Sequence, residues 1–169
     1  MKIEEMPISN VQWVEVDKLS ANDYNPNVVF SKEMELLKFS ILKNGWIQPV
    51  LVTQDFVIID GFHRSTIAKA DKDVRAMTDG KVPVVIMNLS EPERMLLTIR
   101  INRAKGSHIA LKMSDIIKKL VNEYGVPPET ICREIGANRD EVDLLMLENV
   151  FAAKKINEET KYSKAWGVR

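Results

Sequence analysis

The densest run of residues able to do chemistry is Asp60-Gly61-Phe62-His63-Arg64-Ser65-Thr66, between a β-rich apolar run and a stretch of helical spacing. A glycine between a strand and a helix amino terminus lets the backbone approach an anion. The exposed helix amides and the helix dipole both favour phosphate there. Arg64 can offer a forked donor to two phosphate oxygens, and His63, with a reference pKa near neutrality, can donate to phosphate or take a proton. Ser65 and Thr66 would add hydroxyl and amide donors at the helix start. The same residues admit a plainer role, in which Asp60 and Arg64 form an ion pair bracing a turn and Ser65 caps the helix.

A second patch, Arg100-Ile101-Asn102-Arg103-Ala104-Lys105-Gly106-Ser107-His108, gathers four potential cations near a glycine between two helices. Arg103, Lys105 and His108 could contact phosphate or an acidic partner, or form a solvated basic helix end favoured by the dipole. Asn25-Pro26-Asn27 could frame a pocket or make an Asn-Pro turn. Glu33 and Glu35 open a long helix, where acids are favoured whatever their function.

The elements that must position these residues follow from periodicity and turn chemistry. Val11 to Val16 reads as a strand and Leu19 to Asn27 as a loop. Ser31 can cap an amphipathic helix carrying Met34, Leu37, Ile41 and Leu42 that stops at Asn44-Gly45. Val50 to Thr53 and Phe56 to Ile59 read as two strands joined by a tight turn at Gln54-Asp55. Val82 to Met87 is a further strand and Glu91 to Arg103 a helix with Pro92 in its first turn. Beyond Met113 the pattern is helical: Ser114 can cap one helix, Pro127-Pro128 opens a short one through Ile135, Gly136 breaks it, and Asn138 caps a third. This layout is that of a helix-turn-helix unit. Beyond Val150 the chain reads as a polar tail.

The stretch from Leu36 through Gly45-Trp46-Ile47-Gln48-Pro49-Val50-Leu51-Val52, followed by Ile59-Asp60-Gly61-Phe62-His63-Arg64-Ser65-Thr66-Ile67-Ala68, resembles the amino-terminal domain of ParB-type partition proteins. It also resembles the related free serine kinases and sulfiredoxins. The resemblance covers Val11 to Ser107 and, more weakly, the helical region to Glu148. It implies an α+β fold, a ParB/sulfiredoxin-like mixed sheet with flanking helices followed by a small all-α domain. The expected boundaries are a nucleotide-binding domain over 1–107, a helix-turn-helix-like domain over 108–150 and a polar tail over 151–169.

In partition proteins the phosphate element reads Gly-Glu-Arg-Arg and serves CTP binding and slow hydrolysis. In the serine kinases and sulfiredoxins it ends in His-Arg and grips ADP or ATP, and Gly61-Phe62-His63-Arg64 sides with that group. Asp60 sharpens the likeness to the serine kinases, where the matching acid serves magnesium or proton transfer. Phe62 stands where sulfiredoxin chemistry requires a cysteine. The resemblance therefore implies ATP or ADP with Mg2+ as ligand, CTP as the alternative, and slow hydrolysis or phosphoryl transfer with Asp60 and His63 as catalytic residues. Gly61, His63, Arg64, Ser65 and Thr66 would hold phosphate, and Asp60 is the candidate magnesium ligand. In the second patch the partition family carries a Glu-Asn-x-x-Arg-like motif. Asn102 matches it in register, Ile101 replaces the glutamate and Lys105 stands at the arginine, so Asn102, Arg103 and Lys105 join the expected phosphate contacts. Arg64→Ala is expected to weaken nucleotide binding without unfolding the protein.

Composition bounds the rest. The 169 residues carry 24 Lys plus Arg and 24 Asp plus Glu, 45% hydrophobic and 28% charged residues, which is ordinary globular chemistry. The balance holds in each part, 14 of each sign before Lys112 and 10 of each from there on. Neither half is a basic module. The single cysteine, Cys132, excludes an internal disulfide and reads as a buried thiol on a helix. The amino terminus lacks the apolar run of a secretory signal, and no segment approaches the length of a membrane span, so a cytoplasmic location is expected. The third helix of the carboxy-terminal region, Asn138 to Glu148, carries four acids and one base. Such a helix repels the phosphate backbone, which argues for self-association or a protein partner over DNA. The alternative is a non-enzymatic, DNA-binding partition-type regulator that senses nucleotide.

Overall fold

In the computed structural model, residues 2–24, 31–104 and 110–147 are described. The chain divides into two compact units, the first ending at Leu89 and the second beginning at Ser90.

The first unit is built on a four-stranded mixed sheet in the order β1-β4-β2-β3. Its strands are β1 (Val11–Glu15), β2 (Val50–Val52), β3 (Ile58–Asp60) and β4 (Lys81–Ile86). β1 runs antiparallel to β4, β4 parallel to β2, and β2 antiparallel to β3. β2 and β3 form the expected hairpin. Its turn is closed by Thr53 and Phe56, the latter at φ 60°, with the Thr53 hydroxyl accepting from the Val57 amide at 3.0 Å.

Three helices accompany the sheet: α1 (Ser31–Asn44), α2 (Phe62–Ala70) and α3 (Lys72–Met77). The core gathers Val50 and Val52 of β2, Ile58 of β3, Val82 and Val84 of β4, Ile41 of α1, Ile67 and Ala68 of α2 and Val74 of α3. Alternate strand residues thus face one apolar layer, as period-2 patterning requires. Leu42 lies outside it, 39% exposed, so α1 buries a narrower stripe than its sequence suggests. Helix α3 is an element that apolar periodicity did not disclose. Asp71 caps it, its carboxylate accepting from the amides of Asp73 and Val74, and Lys38 of α1 binds the same carboxylate at 2.5 Å.

The second unit is helical: α4 (Glu91–Ala104), α5 (Ala110–Asn122), α6 (Pro128–Ile135) and α7 (Arg139–Met146). Its buried apolar residues include Met95, Ile99, Ile117, Leu120, Ile131, Ile135, Val142 and Leu145. Helix α6 ends at Gly136 in the left-handed conformation, and Asn138 caps α7 by accepting from the Glu141 amide. Ser114 departs from expectation. It is inside α5, not at its cap, 3% exposed, and donates its hydroxyl to the Leu145 carbonyl at 2.5 Å. A serine hydroxyl serves equally well as a cap or as a bond between helices, and burial selects the second use here.

Candidate functional site

Asp60 is the last residue of β3, Gly61 the turn and Phe62 the first residue of α2. Gly61 has φ +95° and ψ 24°, a left-handed cap without a side-chain hydrogen bond. Space reinforces the torsion requirement, since a Cβ at Gly61 would stand 3.1 Å from Arg64 Nη2 and 3.2 Å from Val50 Cα. The helix therefore begins four residues earlier than a Ser65 cap would place it. Its first intrahelical bond runs from the Ser65 amide to the Gly61 carbonyl, and the amides of Phe62, His63 and Arg64 lie ahead of it.

Arg64 folds back beneath the turn. Nη1 donates to the carbonyls of Gln48 at 2.7 Å and Pro49 at 2.9 Å, and Nη2 donates to Asp60 Oδ2 at 3.2 Å. The Arg64 and Asp60 side chains are only 11% and 19% exposed. One guanidinium thus ties the segment before β2 to the end of β3 and the first turn of α2. Burial pulls the Arg64 pKa below its usual value and the Asp60 carboxylate partly restores it. Arginine stays charged at neutral pH regardless, so the site keeps a partly buried cation.

The remaining turn residues divide by exposure. His63 is exposed and Thr66 half-buried. Ser65 is 4% exposed, and its hydroxyl donates to the Phe62 carbonyl at 2.8 Å. With its amide also bonded, Ser65 stabilises the first turn. The Gln48 and Pro49 carbonyls, which receive Arg64, were missed by sequence reasoning because backbone acceptors carry no residue signature. Asn22 was missed too. It is 7% exposed and donates from Nδ2 to the Ile58 carbonyl at 2.7 Å, tying the loop after Leu19 to β3.

The second patch lies on α4, in the second unit. Arg100 pairs with Glu134 at 2.8 Å, and Arg103 pairs with Glu141 at 2.5 Å while also reaching the Gly136 carbonyl at 3.4 Å. These arginines lock α4 to α6 and α7 within that unit. Asn102 is half-buried on the same helix. Lys105, His108 and the Asn25-Pro26-Asn27 segment lie outside the described residues.

Among the described residues no group of three or more His, Cys, Asp or Glu side chains could hold a metal ion. The one carboxylate of the turn, Asp60, is bonded to Arg64. Taken alone, the turn does not fit magnesium, whose protein ligands are hard and open oxygens.

A mixed α+β sheet domain with a strand, a left-handed glycine and a helix whose leading amides precede the first helical bond is a recognisable class of site. Residues 2–102 match the ParB N-terminal domain family model, and the chain belongs to that family. The uncharacterized protein YbdM of Escherichia coli (strain K12) is 36% identical over 98% of this chain and 79% of its own length. A probable chromosome-partitioning protein ParB of Rickettsia felis is 29% identical over 88% of this chain, but the match spans 51% of that protein. The chain thus spans about half the length of such partition proteins. Among solved structures, a pNOB8-like ParB N-domain is similar with TM-score 0.59 at 13% identity, covering 88% of this chain and 69% of that one. The C-terminally truncated ParB of Caulobacter crescentus complexed to the centromeric parS site is similar with TM-score 0.54 at 23% identity, covering 80% and 70%. These likenesses establish the shared fold. No helix among the described residues is long and apolar enough to cross a membrane.

Proposed function

We propose that this ParB-family chain binds a nucleoside di- or triphosphate at the Gly61 turn, ATP or ADP ahead of CTP, and turns it over slowly by hydrolysis or phosphoryl transfer. The observation that carries this reading is the strand, left-handed Gly61 and helix succession, in which the glycine packs against Val50 and leaves the amides of Phe62, His63 and Arg64 leading the helix. A phosphate held there meets those amides, the helix dipole and the exposed His63 side chain. Arg64 contributes its positive charge from below and holds the turn in shape. Positioning and charge neutralisation are what phosphoryl transfer asks of a protein. Magnesium would enter bound to the nucleotide phosphates, and no step is assigned to it. The phosphate contacts proposed are Gly61, His63 and Arg64, with Ser65 and Thr66 supporting the turn.

The test is isothermal titration of the chain with Mg-ATP, Mg-ADP and Mg-CTP, repeated with His63→Ala. Loss of one charge-assisted contact weakens binding by roughly tenfold. Absence of binding for all three nucleotides, or an affinity unchanged in His63→Ala and in Gly61→Ala, would sink the assignment. A preference for CTP would place the chain with its partition relatives in ligand choice.

The second reading is a DNA-binding regulator of the partition type, favoured by the α6, Gly136, Asn138, α7 arrangement and by a relative solved on its centromeric site. Charge weighs against it. The arginines of the second unit's described part, Arg94, Arg100, Arg103, Arg133 and Arg139, all stand in ion pairs.

A further inference from the structure

The sheet of the first unit has two edges of unequal character. Beside β3, Ser20 forms a parallel bridge with Val57, accepts from the Ile58 amide at 2.9 Å and donates its amide to Phe56 at 3.1 Å. That edge is occupied by the chain itself. The β1 edge pairs inward with β4, and among the described residues no strand pairs with its outer side. The edge also lacks the usual protections, since Val11-Gln12-Trp13-Val14-Glu15 contains neither proline nor lysine and only one charge, at its end. Trp13 is 53% exposed and Val11 41% exposed, and the turns just before the strand add Ile3, Met6 and Ile8, also exposed. Five large apolar residues left in water within thirteen positions are unusual for a surface with no partner.

We infer that the outer edge of β1 pairs antiparallel with the same strand of a second copy, joining two four-stranded sheets across a twofold axis at Trp13. In this register the strand sets its one aromatic residue against itself and keeps its one charge away from its copy. Trp13 faces Trp13 of the second copy, Gln12 faces Val14, and Val11 faces Glu15, so the two glutamates sit at opposite ends and no like charges meet. Residues directly opposite in an antiparallel pair share one sheet face, so the two indoles form a cross-strand aromatic pair over the axis. The surface is isologous, closing at two copies without leaving a free edge at β1. A partner of other sequence would gain the same backbone bonds but not the matched indoles. This inference is independent of nucleotide binding at Gly61.

Sedimentation equilibrium of the full chain should show a concentration-dependent dimer. Trp13→Lys should weaken it by about tenfold or more, as loss of a central aromatic anchor does. Its far-UV circular dichroism should match the parent, because Trp13 is half exposed. Leu36→Lys, on the exposed face of α1, should leave the dimer intact. Trp13→Cys in a Cys132→Ser background should form an intermolecular disulfide under mild oxidation. A monomer at every concentration, a dimer indifferent to Trp13→Lys, or a dimer that Leu36→Lys abolishes would each overturn the inference, as would failure of the introduced thiols to couple.

Discussion

Arg64 is the residue whose role the structure changes most. Sequence chemistry casts it as a clamp on phosphate, and the fold gives it three hydrogen bonds to Gln48, Pro49 and Asp60. Removing it takes a donor from two carbonyls and from a partly buried carboxylate, so Arg64→Ala should lower stability by about 1–3 kcal/mol in urea unfolding. The sequence reading expected weakened nucleotide binding without unfolding, and offered the Asp60–Arg64 brace, which the structure contains, as the plainer role. Arg64→Lys should fall between the two, because a single ammonium cannot span three acceptors. Parent-like stability for Arg64→Ala would show that the brace contributes nothing. His63 gives the contrast. It is exposed, so His63→Ala should leave the unfolding midpoint nearly unchanged, within about 0.5 kcal/mol, while weakening nucleotide binding. Gly61, His63 and Arg64 were legible as a set because a short run held them between a strand and a helix; the Gln48 and Pro49 carbonyls could be found only with the fold in hand.

At the scale of elements, α3 shows how a helix forms without a readable apolar stripe. It has six residues and buries only Val74, so its start depends on the Asp71 cap and on Lys38 reaching across from α1. The hydrogen bond from Lys38, then the bond from the Val74 amide, holds the Asp71 carboxyl below its ordinary value. A carboxyl depressed on folding contributes fully above its unfolded pKa of about 3.9 and loses that contribution as pH falls through the lower folded value. Stability measured from neutrality down to acid should therefore drop in that window, and Asp71→Asn should flatten this part of the profile while keeping a cap. Asp71→Ala should lower Tm by roughly 3–8 °C at pH 7; an unchanged melt would mean that α3 does not depend on its cap. The strands and α1, α4, α6 and α7 were readable because apolar spacing and capping residues agreed. The starts of α2 and α5 were not, because the serines taken as caps, Ser65 and Ser114, are buried and bond to the carbonyls of Phe62 and Leu145. A hydroxyl announces an acceptor nearby and not which one. The missed α3 did leave a signal in Asp71-Lys72-Asp73, an acid ahead of a helix start, but too few apolar residues followed to give it weight.

For the molecule as a whole, net charge and ion pairing point the same way. The formal charge at pH 7 is zero, and every arginine among the described residues, from Arg64 and Arg75 to Arg139, already faces a carboxylate. Binding to a duplex depends on cations that release counterions from phosphate, and a cation already paired must first give up its acid. Two of the three acids of α7 are spoken for in the same way, Glu141 by Arg103 and Asp143 by Arg139, so this helix repels DNA less than its sequence implies without attracting it. Fluorescence anisotropy with a labelled duplex of mixed sequence should therefore show dissociation constants no tighter than about 10 μM near 0.15 M salt, with a shallow dependence on salt. Repeating the titration with Mg-ATP and with Mg-CTP separates the two functional readings. Binding that stays weak with either nucleotide fits a nucleotide-handling protein whose helical unit meets protein, whereas tight, steeply salt-dependent binding that nucleotide switches on or off would establish the regulator instead. In that case Arg103→Ala and Glu141→Ala would act oppositely, the first removing a phosphate contact and the second freeing one.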